Sequence, residues 1–183
     1  MASSEYCLKD YAPPALVTVA FALHYSLFDV FSIGPLRKKY NVPYPRTDGP
    51  EEMQRAMRTQ QNQLEQMPVF FALLWVAAAF VSPHFAGIVG CIWVALRIAY
   101  SFVYRSGTTR RELLMICTLP AYVCLWVLAF ATIYQIAMFY VTRAQAAGVV
   151  AGLVVLYGTG AIANRRFLGR SSSSGHDALA PSE

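Results

Sequence analysis

The chain has 183 residues, a length that suits one domain. It is 56% hydrophobic and only 14% charged, against about a quarter charged in soluble proteins, which excludes an ordinary soluble domain. The net charge of +5 fits anionic headgroups or an anionic ligand better than nucleic acid, because the basic residues sit in short loops between apolar runs.

The first segment, MASSEYCLKDYAPP, is polar and acidic, and residues 1–11 are expected outside the cytosol. The first apolar run, Ala12 to Ile33, closes at Gly34 and Pro35. It has no basic flank before it and no small-residue cleavage site after it, so it reads as a retained span and not a signal peptide. Pro50 with Glu51 and Glu52 makes a helix start, with acids at the positive end of the helix dipole. From there PEEMQRAMRTQQNQLEQ holds good helix formers and leads into a short apolar run, Met67 to Val81. One helix is expected from about Glu51 to Val81, bent at Pro68, whose ring removes a bond to the Leu64 carbonyl. Phe85 to Tyr104 and Leu113 to about Tyr140 are the next two runs. Each approaches the roughly twenty residues a span needs.

These runs predict an all-α integral membrane four-helix bundle over 12–140, followed by a further hydrophobic helix over 141–168. Its run Ala146 to Ala163 carries Gly148 and Gly152, a pair that permits close helix packing. That run reads either as a fifth span or as an interfacial helix. The tail from 169 to 183, GRSSSSGHDALAPSE, is low in complexity and expected to be disordered. Arg and Lys cluster after runs one, three and five: Arg37, Lys38, Lys39 and Arg46; Arg105, Arg110 and Arg111; Arg165, Arg166 and Arg170. The positive-inside rule puts those ends in the cytosol.

Two constellations stand out. Arg58, Asn62 and Glu65 lie four and seven residues apart, one stripe of a helix, with Gln60 and Gln61 beside it. By itself the stripe also fits a solvated face, but Glu65 sits within a turn of the hydrocarbon, where acids face a partner or a water-filled cavity. Arg97, Tyr100 and Tyr104 make a second stripe in the third run. Snorkelling and an aromatic belt would explain these three singly. Antiparallel second and third helices can instead face the two stripes into one polar cleft, suited to a small zwitterion with carboxylates and an amine. Of the four cysteines, Cys91, Cys117 and Cys124 lie in apolar runs without a CxxC pair and read as core residues, so no metal site is expected. His24 and Asp29 are five apart, about 140° out of phase on an α-helix, and make a poor metal pair. A polar core role suits His24, and Asp29 can neutralise a neighbouring Arg.

The pattern Arg-x-Gln-x-Asn-x-x-Glu followed by Pro, here Arg58, Gln60, Asn62, Glu65 and Pro68, resembles that of the membrane-associated proteins in eicosanoid and glutathione metabolism. So does Arg-x-x-Tyr-x-x-x-Tyr, here Arg97, Tyr100 and Tyr104, and the basic pair Arg37 and Lys38 after the first span. The likeness covers about residues 12 to 140. Within the family, RKKYNVPYP and the Asn–Gln–Leu–Glu form of the first pattern resemble the microsomal glutathione transferase 3 branch, beside leukotriene C4 synthase. Gln66 stands where that synthase has a Tyr, and Ala99 where it has a basic residue.

The resemblance implies a homotrimer in the endoplasmic reticulum or nuclear envelope, with its active site facing the cytosol. It implies glutathione as co-substrate, without a metal, bound by Arg58, Gln60, Asn62, Glu65, Arg97, Tyr100, Tyr104 and Arg37, and Arg111 as the catalytic residue that activates the thiol. The partner would be a lipophilic electrophile or lipid hydroperoxide from the bilayer. A non-catalytic lipid-binding scaffold is the alternative within the same family. A small transporter fits less well, because the polar residues gather at one face and do not run through the midplane.

Overall fold

The structure, a computed structural model, describes residues 7–107 and 111–176, with residue 111 and residues 165–176 described by backbone alone. Among the described residues, five helices are long and apolar enough to cross a membrane: Leu8–Tyr40, Glu51–Phe80, Pro83–Arg105, Glu112–Ala137 and Arg143–Asn164. An all-α membrane bundle is therefore the architecture, as the hydropathy pattern predicts. The chain divides into two compact units, one up to Thr132 and one from Ile133.

The first span is not a uniform helix. A 3₁₀ turn, Leu8–Tyr11, leads into α1, Ala12–His24, then a π-helical stretch, Tyr25–Val30, and after a turn α2, Ile33–Tyr40. Pro13 and Pro14 sit in the first turn of α1, where missing N–H groups cost nothing. Asn41 ends α2 in the left-handed region, at φ 53°, and the Val42 N–H returns to the Arg37 carbonyl at 3.0 Å.

Helix α3, Glu51–Phe80, opens with its two acids and passes through Pro68. Helix α4, Pro83–Arg105, starts at Ser82, whose hydroxyl accepts the Phe85 N–H at 3.5 Å, with Pro83 at its first position. Only Val81 and Ser82 separate the two, which makes them antiparallel neighbours. Helix α5 is Arg111–Ala137, and its residues Ala121, Cys124, Leu125 and Leu128 join the core of the first unit. In the second unit α6 runs from Arg143 to His176. It thus continues past residue 168, and the tail expected from residue 169 is helical in backbone to 176; residues 177–183 lie outside the described residues. Within the second unit no atom lies within 4 Å of a Cβ placed at Gly148 or Gly152.

Aromatic rings fill the centre of the first unit. Phe70 stacks on Trp93 with centroids 3.7 Å apart, and Phe21 meets Trp93 edge-on at 5.0 Å. In a bilayer such contacts hold helices together by packing, since lipid is as apolar as the core. Two glycines let the backbones approach. A Cβ at Gly87 would stand 2.4 Å from the Pro13 Cβ, and one at Gly90 would stand 2.8 Å from Leu74 and 2.9 Å from Val17. The Pro13 ring cannot swing aside. Gly87→Val is therefore expected to destabilise the detergent-purified protein by about 1–3 kcal/mol, the usual cost of overpacking. Gly148→Ala, with no atom nearby, is expected to melt at or slightly above the wild-type temperature. Equal melting of both variants would refute the close approach.

Candidate functional site

Helices α3 and α4 bring the two polar stripes together. The Asn62 side-chain amide donates to the Tyr100 hydroxyl at 2.5 Å. Arg97 donates through Nη2 to the Asn62 carbonyl at 3.1 Å and through Nε to the Gln63 Oε1 at 2.7 Å. Its guanidinium lies over the Tyr100 ring, 4.6 Å from the centroid, and Tyr100 stacks on Tyr104 at 5.5 Å. Arg97 is only 4% exposed. A charge so placed needs partners, and a carbonyl, an amide oxygen and a ring face supply them.

The outer part of the first stripe faces water. Arg58 and Glu65 are each 51% exposed in their side chains and lie 3.9 Å apart, Nη1 to Oε1. At that exposure the pair contributes little to stability and is free to meet a ligand. Arg58, Gln60, Gln61 and Tyr104, with Thr47 and Asp48 from the loop after α2, line a cleft of about 950 Å³. It offers cationic, anionic and amide groups within one concavity, the set a zwitterionic tripeptide requires.

The loop from 41 to 50 borders this cleft and is held by charges. Arg37 is buried and donates through Nη1 to the carbonyls of Arg46, at 2.7 Å, and Pro43, at 3.4 Å, with its guanidinium over the Tyr44 ring. Within the chain, then, Arg37 braces the loop and does not join the two stripes. Glu52 ties α2 to α3 through Lys39, at 2.7 Å, and the Tyr40 hydroxyl. Asp48 pairs with Arg46, whose guanidinium pulls its carboxyl down to about 2, so Asp48 stays ionised at the cleft mouth.

At the end of α4 the chain turns at Gly107, φ +72°, where the Arg55 guanidinium covers the backbone so closely that a Cβ would stand 2.9 Å from its central carbon. The left-handed φ favours glycine at that turn. Residues 108–110 lie outside the described residues, Arg110 among them. Arg111 begins α5.

A buried polar cluster lies behind Arg97 and was not foreseen. The Gln63 amide donates to the Ser101 hydroxyl at 2.6 Å and to the Arg97 carbonyl at 3.0 Å. Ser101 is 3.3 Å from His24 Nε2 and 3.5 Å from the Asp29 carboxylate, and His24 and Asp29 are 3.5 Å apart. This corrects the expectation that His24 and Asp29 point apart. The α-helical spacing assumed there fails because residues 25–30 form a π-helix, in which residues five apart stack. His24 holds the polar core role expected of it. Two signals could have revealed the cluster: Gln63 falls on the seven-residue repeat of the buried Ala56, Phe70 and Ala77, and Arg97, Ser101 and Arg105 repeat every four residues. Arg105 closes the cluster by donating to the Phe28 carbonyl at 3.1 Å and the Ser32 hydroxyl at 2.6 Å. Among the described residues no group of three or more His, Cys, Asp or Glu could hold a metal ion.

Comparison with known proteins points the same way. The family model described as the MAPEG family matches residues 14–134. Mouse microsomal glutathione S-transferase 2 is 33% identical over 97 residues, 53% of this chain and 65% of that protein. Guinea pig leukotriene C4 synthase is 33% identical over 112 residues, 61% of this chain and 73% of that enzyme. An uncharacterised protein of the cyanobacterium Synechocystis is 37% identical over 98 residues, 54% of this chain and 71% of its own length. A family match across the helices that carry both polar stripes, with relatives named for glutathione transfer and leukotriene synthesis, makes this chain a member of the MAPEG family.

Proposed function

We propose that the protein is a glutathione-dependent membrane transferase whose thiolate conjugates lipophilic electrophiles or reduces lipid hydroperoxides. The observation that carries this reading is the meeting of the stripes, with Asn62 on Tyr100 and Arg97 on the Asn62 backbone, beside the open Arg58–Glu65 pair. In this arrangement Arg58 and Arg97 take the glutathione carboxylates and Glu65 takes its ammonium. Asn62, Gln60, Tyr100 and Tyr104 bond its amides. The names of the relatives support a glutathione-using enzyme.

The catalytic requirement is a thiolate at neutral pH. A thiol with a pKa near 8.5 is mostly protonated there, and lowering it by two units takes about 2.7 kcal/mol. A guanidinium at about 4 Å supplies roughly 4 kcal/mol at an effective dielectric of 20, before desolvation losses. One Arg is sufficient, and Arg111, at the start of α5, is the residue proposed for it. With an epoxide from the bilayer the thiolate forms the new carbon–sulfur bond as the ring carbon–oxygen bond breaks, and the freed oxygen takes a proton. With a hydroperoxide, two glutathiones are oxidised to the disulfide while the peroxide bond is reduced to alcohol and water. Arg58 and Glu65 are half exposed within one chain, which supports a homotrimer with each site completed by a neighbour carrying its own Arg37. The reading places the protein in the endoplasmic reticulum or nuclear envelope, with the cleft toward the cytosol.

Glutathione is expected to raise the melting temperature of the purified protein. Arg58→Ala and Glu65→Gln are each expected to weaken that binding tenfold or more, about 1.4 kcal/mol. Undiminished stabilisation of both variants would mean the cleft is wrongly placed. Arg111→Ala is expected to keep glutathione binding within a few-fold while losing the thiolate absorbance and about a hundredfold in turnover, the scale of one positioned electrostatic group. Arg110→Ala should behave as wild type, and equal small effects from both would reduce them to membrane anchors. In sealed right-side-out microsomes a tag after Glu183 should be open to protease and an N-terminal tag protected, if α6 spans; protection of both would return the count to four spans.

A further inference from the structure

The cluster behind Arg97 is buried and unused by the chemistry above, and its hydrogen bonds from Arg97 through Gln63 to Ser101 have only one consistent direction. Arg97 Nε can only donate, so the Gln63 atom 2.7 Å away must be the amide oxygen. The amide nitrogen then faces the Arg97 carbonyl and Ser101. Turning the amide over would set N–H against N–H and oxygen against oxygen, which leaves no alternative assignment. Because Ser101 receives the Gln63 N–H on its oxygen, its own proton must point to His24 Nε2 or Asp29, both on the first span. Gln63, Ser101 and Asp29 are all 0% exposed.

A guanidinium is planar, so bonds at Nε and Nη2 fix the whole group. Two of its five N–H donors are spent on Gln63 and Asn62, and the Tyr100 ring covers one face. The orientation of the remaining donors is thus decided by a side chain that lies behind the cleft. We propose that Gln63 is a positioning residue for glutathione binding: its amide, locked in one orientation by Ser101 and the Arg97 carbonyl, aims the Arg97 guanidinium at the ligand. This rests on the glutathione reading given above. It adds a role for residues outside the two stripes, and makes the first span, through His24 and Asp29, the far anchor of the site.

The test compares Gln63→Met, which keeps the length and removes the acceptor, with Gln63→Glu, which keeps an acceptor for Arg97 Nε and loses the donors. Ser101→Ala removes the brace one bond further back. The readouts are KM for glutathione, KM for a generic electrophile, kcat, and the melting temperature without glutathione. Gln63→Met is expected to raise KM for glutathione about tenfold, with kcat and the electrophile KM within twofold. Gln63→Glu should stay within about threefold of wild type, and Ser101→Ala should raise KM for glutathione about threefold. An unchanged KM in Gln63→Met overturns the inference. So does an equal loss in Met and Glu variants that follows their melting temperatures, since that is the mark of a purely structural role. If Gln63→Met does not fold, Ser101→Ala decides, and an unchanged KM there overturns the inference. Wild-type protein that glutathione does not stabilise would instead remove the functional reading itself, a result separable from the variant series.

Discussion

Holding one guanidinium inside an apolar bundle is the constraint on which the site depends. Arg97 sits on α4 among Trp93, Tyr100 and the α3 backbone, almost out of solvent. A cation there is tolerated only with directed acceptors, and α3 provides them through the Gln63 side chain and the Asn62 carbonyl. Those bonds fix the rotation of α3 against α4. The same rotation points Asn62 at Tyr100, turns Arg58 toward the cleft and leaves Glu65 half exposed beside it. Packing and recognition therefore share one geometry: the residues that satisfy the buried charge adjoin those that line the cleft.

The surroundings of that charge divide by accessibility. On the cleft side the charges are exposed and loosely paired, as with Arg58 and Glu65. At the cleft mouth the loop is tied by Arg37, Arg46, Asp48 and Glu52. On the inner side the polar groups are sealed, with a defined bonding direction from Arg97 to the first span. Exposed pairs in water exchange partners easily, whereas buried bonds in a low dielectric hold their geometry. A ligand site benefits from both: mobile charges to receive the ligand, and a rigid backing to keep the contact angles.

Both stripes were legible because they obey a 3.6-residue period and carry residue types that a span does not bear without cause. Arg97 in an apolar run and Glu65 at its edge are each unexplained until the helices face one another. The spans were legible from length and composition. Gln63 was passed over because a glutamine between Asn62 and Leu64 looks like more of the polar face, although it lies on the core repeat with Ala56 and Phe70. His24 and Asp29 were misjudged for a different reason: nothing in HYSLFDVFS announces a π-helix, and the angle between two residues is only as good as the assumed period. Where Arg37 points was also beyond sequence, since its partners are backbone carbonyls of a loop whose path is set by tertiary contacts.

The π-helical stretch makes the facing of the first span less dependent on its exact residue count. An ordinary α-helix tolerates substitution along its solvent or lipid face, but a wide turn holds one more residue than an α-helical turn. Deleting a single residue between Tyr25 and Val30 would let the stretch close into regular helix. Six π-helical residues sweep about the same angle as five α-helical ones, so the helix on either side would keep its facing. Val17 and Phe21 would stay in the core. The stretch thus separates residue count from facing: a one-codon deletion there is milder than the same deletion within α1, where a rotation of about 100° would carry one part of the helix off its buried face.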